Sequence, residues 1–301
     1  VAGRRGRGSR AGVAPRTAEP AAPVSAIQAE REAFRRRQRR RSSVVAGLST
    51  AVFLVACAFA ITRAPGWARV REQFFDAEVA VASLPRIWQG LLLNLRVLVV
   101  AAVATVLVAL TLAALRSLRG PVWFPLRLLA TTYTDLFRGV PLIIVLYVVG
   151  FGLPGLRLEG VPTSPAVLGT VAIVLCYSAY VAEVFRAGME AVHPSQRAAA
   201  RSLGLTHGQS LRLVVLPQAV RKVTPPLLND FVAMQKDVGL ISVLGAVDAV
   251  RAAQIESAEA FNFTPYLVAG LLFVLLAIPS ARLADWAAGR TARREQAGGL
   301  A

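Results

Sequence analysis

The clearest ionisable side chains inside the apolar runs are Glu183, Lys236 and Asp237. A charge at the centre of a bilayer costs at least ~2.5–3.5 kcal/mol on insertion scales, so each needs a partner charge or an aqueous path. Lys236 and Asp237 are adjacent and point to different faces of a helix. Asn229 precedes Lys236 by seven residues, about two turns, and lies on a similar face. This set could line a path and meet the carboxylate and amine of an amino acid. It could equally be a structural ion pair between spans, for example Glu183 with Lys236. Asp135 and Arg138, three apart, share a helix face and can pair. With Arg186 they read as structural. Arg96, near the end of an apolar run, is expected to snorkel to headgroups.

Catalytic and metal-binding sets are missing from the pattern. The histidines are His193 and His207, both in one polar segment, and the cysteines are Cys57 and Cys176, each inside an apolar run. No zinc-type spacing and no Ser/His/Asp or Cys/His arrangement follows from these. There is no G-x-x-x-x-G-K-[ST] phosphate loop. The chain therefore reads as a non-enzyme, with no cofactor and no metal of its own.

The elements that must position these charges are membrane helices. Of 301 residues, 55% are hydrophobic. Several runs approach the ~20 apolar residues a helix needs to cross a bilayer, and no period-2 alternation suggests a barrel. Net charge is +17 and is uneven. Residues 1–43 hold twelve arginines against Glu19, Glu30 and Glu32. That stretch reads as a disordered basic cytoplasmic tail, with a short helix over 29–41, lying against anionic lipid rather than nucleic acid. A secretory signal peptide is not expected.

The hydropathy places spans at about 44–62, 89–115, 122–150, 166–189, 225–247 and 264–288. Gly139 and Pro141 are expected to kink or break the third. Connections rich in Arg and Lys alternate with balanced or acidic ones, which puts both termini and the 190–224 connection inside. The fold class is thus all-α and polytopic: about six spans, a core over 89–290, and one additional N-terminal helix separated from it by an external segment over 63–88.

The 190–224 connection is polar yet helix-prone. Pro194 suits a first turn, Gln196 to Leu203 is alanine-rich, and Gly204 suits the position just past a helix end. Thr206 and Gln209 form a T-x-x-Q capping box for a second helix, expected to stop at Pro217. Ala198, Ala199 and Ala200 leave the surface low, so that a partner can approach. An ordinary amphipathic loop is the other reading of the same residues.

The spacing Ala199-Ala200, three residues, Gly204, nine residues, Val214-x-Leu216-Pro217 resembles the EAA motif of ABC importer permeases. The strings at 133–142, 179–189, 216–221 and 225–245 are similar to those of the polar amino-acid subfamily. The resemblance spans about 89–290 and departs at Ala198, where the family carries an acid. It implies that 194–217 docks on a separate cytoplasmic ATPase subunit, which holds ATP and magnesium. It further implies an extracytoplasmic solute-binding protein, a second permease chain (a copy or a paralogue) and alternating access. Ala199, Ala200, Gly204, Val214, Leu216 and Pro217 become the coupling set, and Glu183, Asn229, Lys236 and Asp237 the candidate path or interior pairs. Rival readings are another importer subfamily, or a polytopic sensor or assembly protein that docks through the loop.

Overall fold

In the computed structural model, residues 26–118 and 120–298 are described, and among them every regular element is helical. The chain divides into two units, 1–67 and 68–301. The first contains one long helix, α1 (Ala26–Arg63). It has no break near residue 43, so the part of the expected disordered tail from Ala26 onward is helical. Its alanines, glutamates and arginines favour the helix, which runs on into the apolar stretch. The remainder of that tail, 1–25, lies outside the described residues. Apolar side chains of α1, Leu48 and Phe53 among them, are exposed.

The second unit contains α2 (Trp67–Phe74, whose first residue closes the first unit), α3 (Ala77–Ser117) and α4 (Phe124–Gly139). After these come α5 (Leu142–Tyr147), a wide π turn (Val148–Gly152) and a single turn, α6 (Leu153–Gly155). Then follow α7 (Pro165–Glu190), α8 (Pro194–Ser202), α9 (His207–Ser210), a second π turn (Leu211–Val215) and α10 (Leu216–Asp237). A 3-10 segment (Val238–Leu244), α11 (Ala249–Ala260) and α12 (Thr264–Gly298) complete the chain.

Four stretches are helical, long and apolar enough to cross a membrane: Arg40–Arg63 within α1, Trp67–Ser117 (α2 with α3), Pro165–Glu190 and Thr264–Arg290. Two more candidates are bent pairs: Phe124–Gly139 with Leu142–Gly155, bent by 106°, and His207–Leu244 with Ala249–Ala260, bent by 52°. The expected six is reached if each bent pair crosses as one span. The break at Gly139–Pro141 falls where the sequence placed it. Pro141 has no amide hydrogen to give to the preceding turn and instead caps α5.

Three boundaries differ from the sequence reading. The segment 63–88, expected as an external connection, is α2 plus the first three turns of α3. Asp76 starts α3 by accepting from the amides of Glu78 (2.9 Å) and Val79 (3.1 Å), and Pro85 is carried inside the helix. Pro217 does not end a helix, because it lies in the first turn of α10, which continues directly from the π turn. Pro225 and Pro226 do not open a span either, since both lie inside α10.

The core lies between α3, α7, α10 and α11. Val97 and Leu98 pack with Ile173 and Tyr177, while Ala109 and Leu112 pack with Val181 and Ala182. The increasing numbers on both sides show that α3 and α7 run the same way, so their C-termini share one end of the molecule. Ala101, Ala109 and Ala182 lie among these larger side chains and let backbones approach, as expected where lipid gives no hydrophobic drive between helices. Gly90 is the extreme case: a Cβ there would collide with the backbone of Asp248 and Ala249. Asn94 bonds the same junction. Its amide nitrogen donates to the Val238 carbonyl (3.2 Å) and to Asp248 Oδ2 (2.9 Å), and its oxygen accepts from the Ala249 amide (3.0 Å).

Candidate functional site

At the end shared by the C-termini of α3 and α7, α8 and α9 form a compact knob. His193 caps α8 and Pro194 occupies its first turn. The helix closes at Gly204, whose φ of +81° is left-handed. The Leu205 amide reaches back to the Ala200 carbonyl (3.2 Å) and the Gly204 amide to that of Arg201 (2.9 Å). This pair of bonds is a Schellman closure, and only glycine takes that backbone without strain. Thr206 and Gln209 then form the expected capping box: the Gln209 side chain accepts from the Thr206 amide (2.9 Å) and the Thr206 hydroxyl from the Gln209 amide (3.3 Å).

The knob is fastened to the core from two sides. Arg197 donates to the Met189 carbonyl at the end of α7 (2.6 Å), and Lys222 of α10 donates to the Ala191 carbonyl (3.0 Å). Val192, Val215 and Ala219 close a small apolar cluster beneath it. Of the motif residues, Ala199, Gly204, Leu216 and Pro217 are exposed and Val214 is half-buried. Ala200 differs from expectation. It is 3% exposed, so its methyl packs inward and does not line a docking face. Leu203 carries an apolar signal the sequence reading passed over: it is 83% exposed at the tip of the knob, beside the left-handed glycine. An apolar residue immediately before a helix-closing glycine was the available clue.

Beneath the knob sits a charge cluster centred on Glu183. Its carboxylate accepts from Arg116 of α3 (3.0 Å) and from Arg186 one turn on, with Arg138 of α4 at 3.9 Å. Arg186 also reaches Glu190 (2.6 Å). One carboxylate thus ties three helices. Two expectations change. Glu183 does not pair with Lys236, and Arg138 turns to Glu183 rather than to Asp135, which is exposed. Azimuth and depth set pairs between helices, and same-helix spacing carries neither.

The remaining candidates lie on α10. Asp237 is half-buried and accepts from the Tyr177 hydroxyl of α7 (2.8 Å). Lys236 is exposed and pairs with no described residue, and Asn229 is exposed as well. Asp230, one residue beyond Asn229, was not singled out from the sequence. It has a buried carboxylate oxygen without a donor. Seven residues separate it from Asp237, so the two carboxylates share a face of α10. Among the described residues no group of three or more His, Cys, Asp or Glu could hold a metal ion.

Residues 122–293 match the family model described as binding-protein-dependent transport system inner membrane component. The chain is 32% identical over 206 residues to the arginine transport system permease protein ArtQ of Bacillus subtilis, covering 67% of this chain and 91% of that one. It is 33% identical over 226 residues to the glutamate/aspartate import permease protein GltK of Escherichia coli, covering 72% and 99%. Among solved structures it superposes on an amino acid ABC transporter crystallised with histidines, with a TM-score of 0.66, 32% identity, and coverage of 71% and 98%. The fold is also that of the inward-facing methionine transporter MetNI, at a TM-score of 0.57 and 16% identity over 68% of this chain and 96% of that one.

Proposed function

Because this chain belongs to the binding-protein-dependent transport system inner membrane components, the permease subunits of ABC importers, we propose that it passes amino acids across the membrane by alternating access, driven by a separate ATPase docked on residues 194–217. The relatives named for arginine and for glutamate/aspartate import support an amino-acid cargo. Both termini and the knob face the cytoplasm, and the solute-binding protein delivers cargo at the opposite end. A second permease chain completes the path. ATP and magnesium belong to the ATPase.

One observation carries the coupling assignment. The knob continues into α10 without a helical break and is hydrogen-bonded to the end of α7. A push on the knob therefore reaches two core helices as a displacement of rigid elements. On α10 it arrives at Asn229, Lys236 and Asp237, the polar groups placed to meet cargo. The Glu183 cluster ties the same end to α3 and α4, so that four helices move with the knob.

Gly204 tests this reading. No atom lies within 4 Å of a Cβ built on it, so a larger side chain there projects outward, toward the partner. Gly204→Trp is expected to reduce co-purified ATPase and uptake by roughly tenfold or more, a loss of ~1.4 kcal/mol. The protein should remain in the membrane. Gly204→Asn, which tolerates the left-handed backbone, is expected to keep more of both. Unchanged ATPase recovery and uptake in Gly204→Trp would overturn the docking assignment.

A further inference from the structure

A cavity of about 890 Å³ opens beneath the knob, between α3, α4, α7 and the second π turn. Its charged lining is one-sided: Arg116, Arg127, Arg186, Arg197 and Arg201, with His207, against Glu190. Some of this charge is spent, because Arg116 and Arg186 serve Glu183 and Glu190. Two of the others are held in place without an anion. Arg127 is pinned by the carbonyls of Leu118 (2.9 Å) and Gly120 (3.0 Å) and stands over the Phe124 ring. Arg197 is pinned by Met189, yet its Nε is buried and has no acceptor. Neither Arg201 nor His207 spends its side chain on another described residue.

From this geometry we propose that the cavity binds a phosphate-type anion. Guanidinium forks match tetrahedral oxyanions with paired N–H donors, which a carboxylate-poor cavity otherwise leaves idle. An oxyanion oxygen also supplies the acceptor that the buried Arg197 Nε lacks, and a buried donor left unpaired is costly. The apolar wall of Phe124, Leu128 and Leu211 accommodates an ester-linked tail. The chemistry is shared by the headgroup of an anionic phospholipid and by free phosphate. Since the lining comes from both the knob and the core, an occupant bridges them and sets how firmly the knob is seated. The inference does not depend on which solute the chain carries.

The test uses the full-length chain in nanodiscs of phosphatidylcholine alone or with added phosphatidylglycerol. Native mass spectrometry counts retained lipid, and tryptophan fluorescence follows titration with inorganic phosphate, Trp123 standing next to the lining residue Phe124. Selective, saturable retention of phosphatidylglycerol identifies a lipid headgroup. Saturable phosphate binding in phosphatidylcholine alone identifies the free anion. In either case Arg197→Gln/Arg201→Gln is expected to weaken binding by roughly tenfold or more, since each guanidinium removed takes at least one charge-assisted hydrogen bond with it. Arg221→Gln, an exposed cation outside the cavity, should bind as the parent does. Should the double variant fail to fold, Leu128→Glu, which places a carboxylate in the cavity, is expected to abolish binding. The proposal is overturned if neither probe binds saturably, if the folded cavity variants bind as the parent does, or if Arg221→Gln loses as much as they do.

Discussion

Glu183 and Lys236 look alike in sequence, as lone charges within apolar runs, and the structure separates them. Glu183 and Arg116 have side chains only 19% and 16% exposed, and the carboxylate serves three guanidinium groups. Glu183→Gln leaves Arg116 half-desolvated without its counter-charge. It is expected to cost about 2 kcal/mol, below the ~3–5 kcal/mol of fully buried broken pairs because water reaches part of the cluster. Lys236 is exposed and without a described partner, so Lys236→Ala is expected to leave thermal stability within about 0.5 kcal/mol while lowering uptake. Thermal unfolding in detergent alongside transport assays in vesicles checks both halves. Equal stability losses would remove the distinction. Sequence alone located Glu183 as a charge needing a partner. It did not locate the partner, because Arg116 reads as a flanking cation of another span.

At the scale of elements, local signals transferred well where they are closed by neighbours in the chain. The capping box of α9, the Schellman glycine of α8 and the break at Pro141 are all short-range devices. The prolines of α10 depart from the sequence expectation, in which Pro217 ends a helix and Pro225 and Pro226 open one, because all three are carried inside α10. A wide π turn already departs from the regular hydrogen-bond ladder, so Pro217 can follow Leu211–Val215 at little further cost. Pro225 and Pro226 lie deeper, where packed neighbours keep a helix intact across missing donors. The junction of α3 with α11 was not legible at all. It depends on Asn94 meeting backbone more than 140 positions away. Asn94→Leu removes the acceptor of a buried amide and one donor to Asp248, with an expected loss of about 2–3 kcal/mol in unfolding free energy. Gradual denaturant unfolding of the purified chain measures it. A loss below roughly 0.5 kcal/mol would show that this bonding is not what holds α11 against α3.

For the whole molecule, composition settled the broad architecture, since long apolar helices leave few alternatives in a bilayer. The polar segment between the first two apolar runs, expected as a separate connection, falls mostly into the 68–301 unit as α2 and the start of α3. Less visible was the way one continuous run, His207–Leu244, spans from the knob to the neighbourhood of Asp237. Such a rod conveys more than distance. Each residue of a helix advances the azimuth by about 100°, so the rod fixes the angular phase between the face of the knob and the face of α10 that carries Asp230 and Asp237. One alanine inserted between Val220 and Arg221 turns every later side chain by about 100° relative to the knob, whereas four turn it by only about 40° net while lengthening the rod about four times as much. If phase governs coupling, the single insertion uncouples ATP hydrolysis from uptake more severely than the fourfold one; if reach governs it, the order reverses. The gearing of this permease is thus either a rotation count or a length along one helix, and an insertion series reads which.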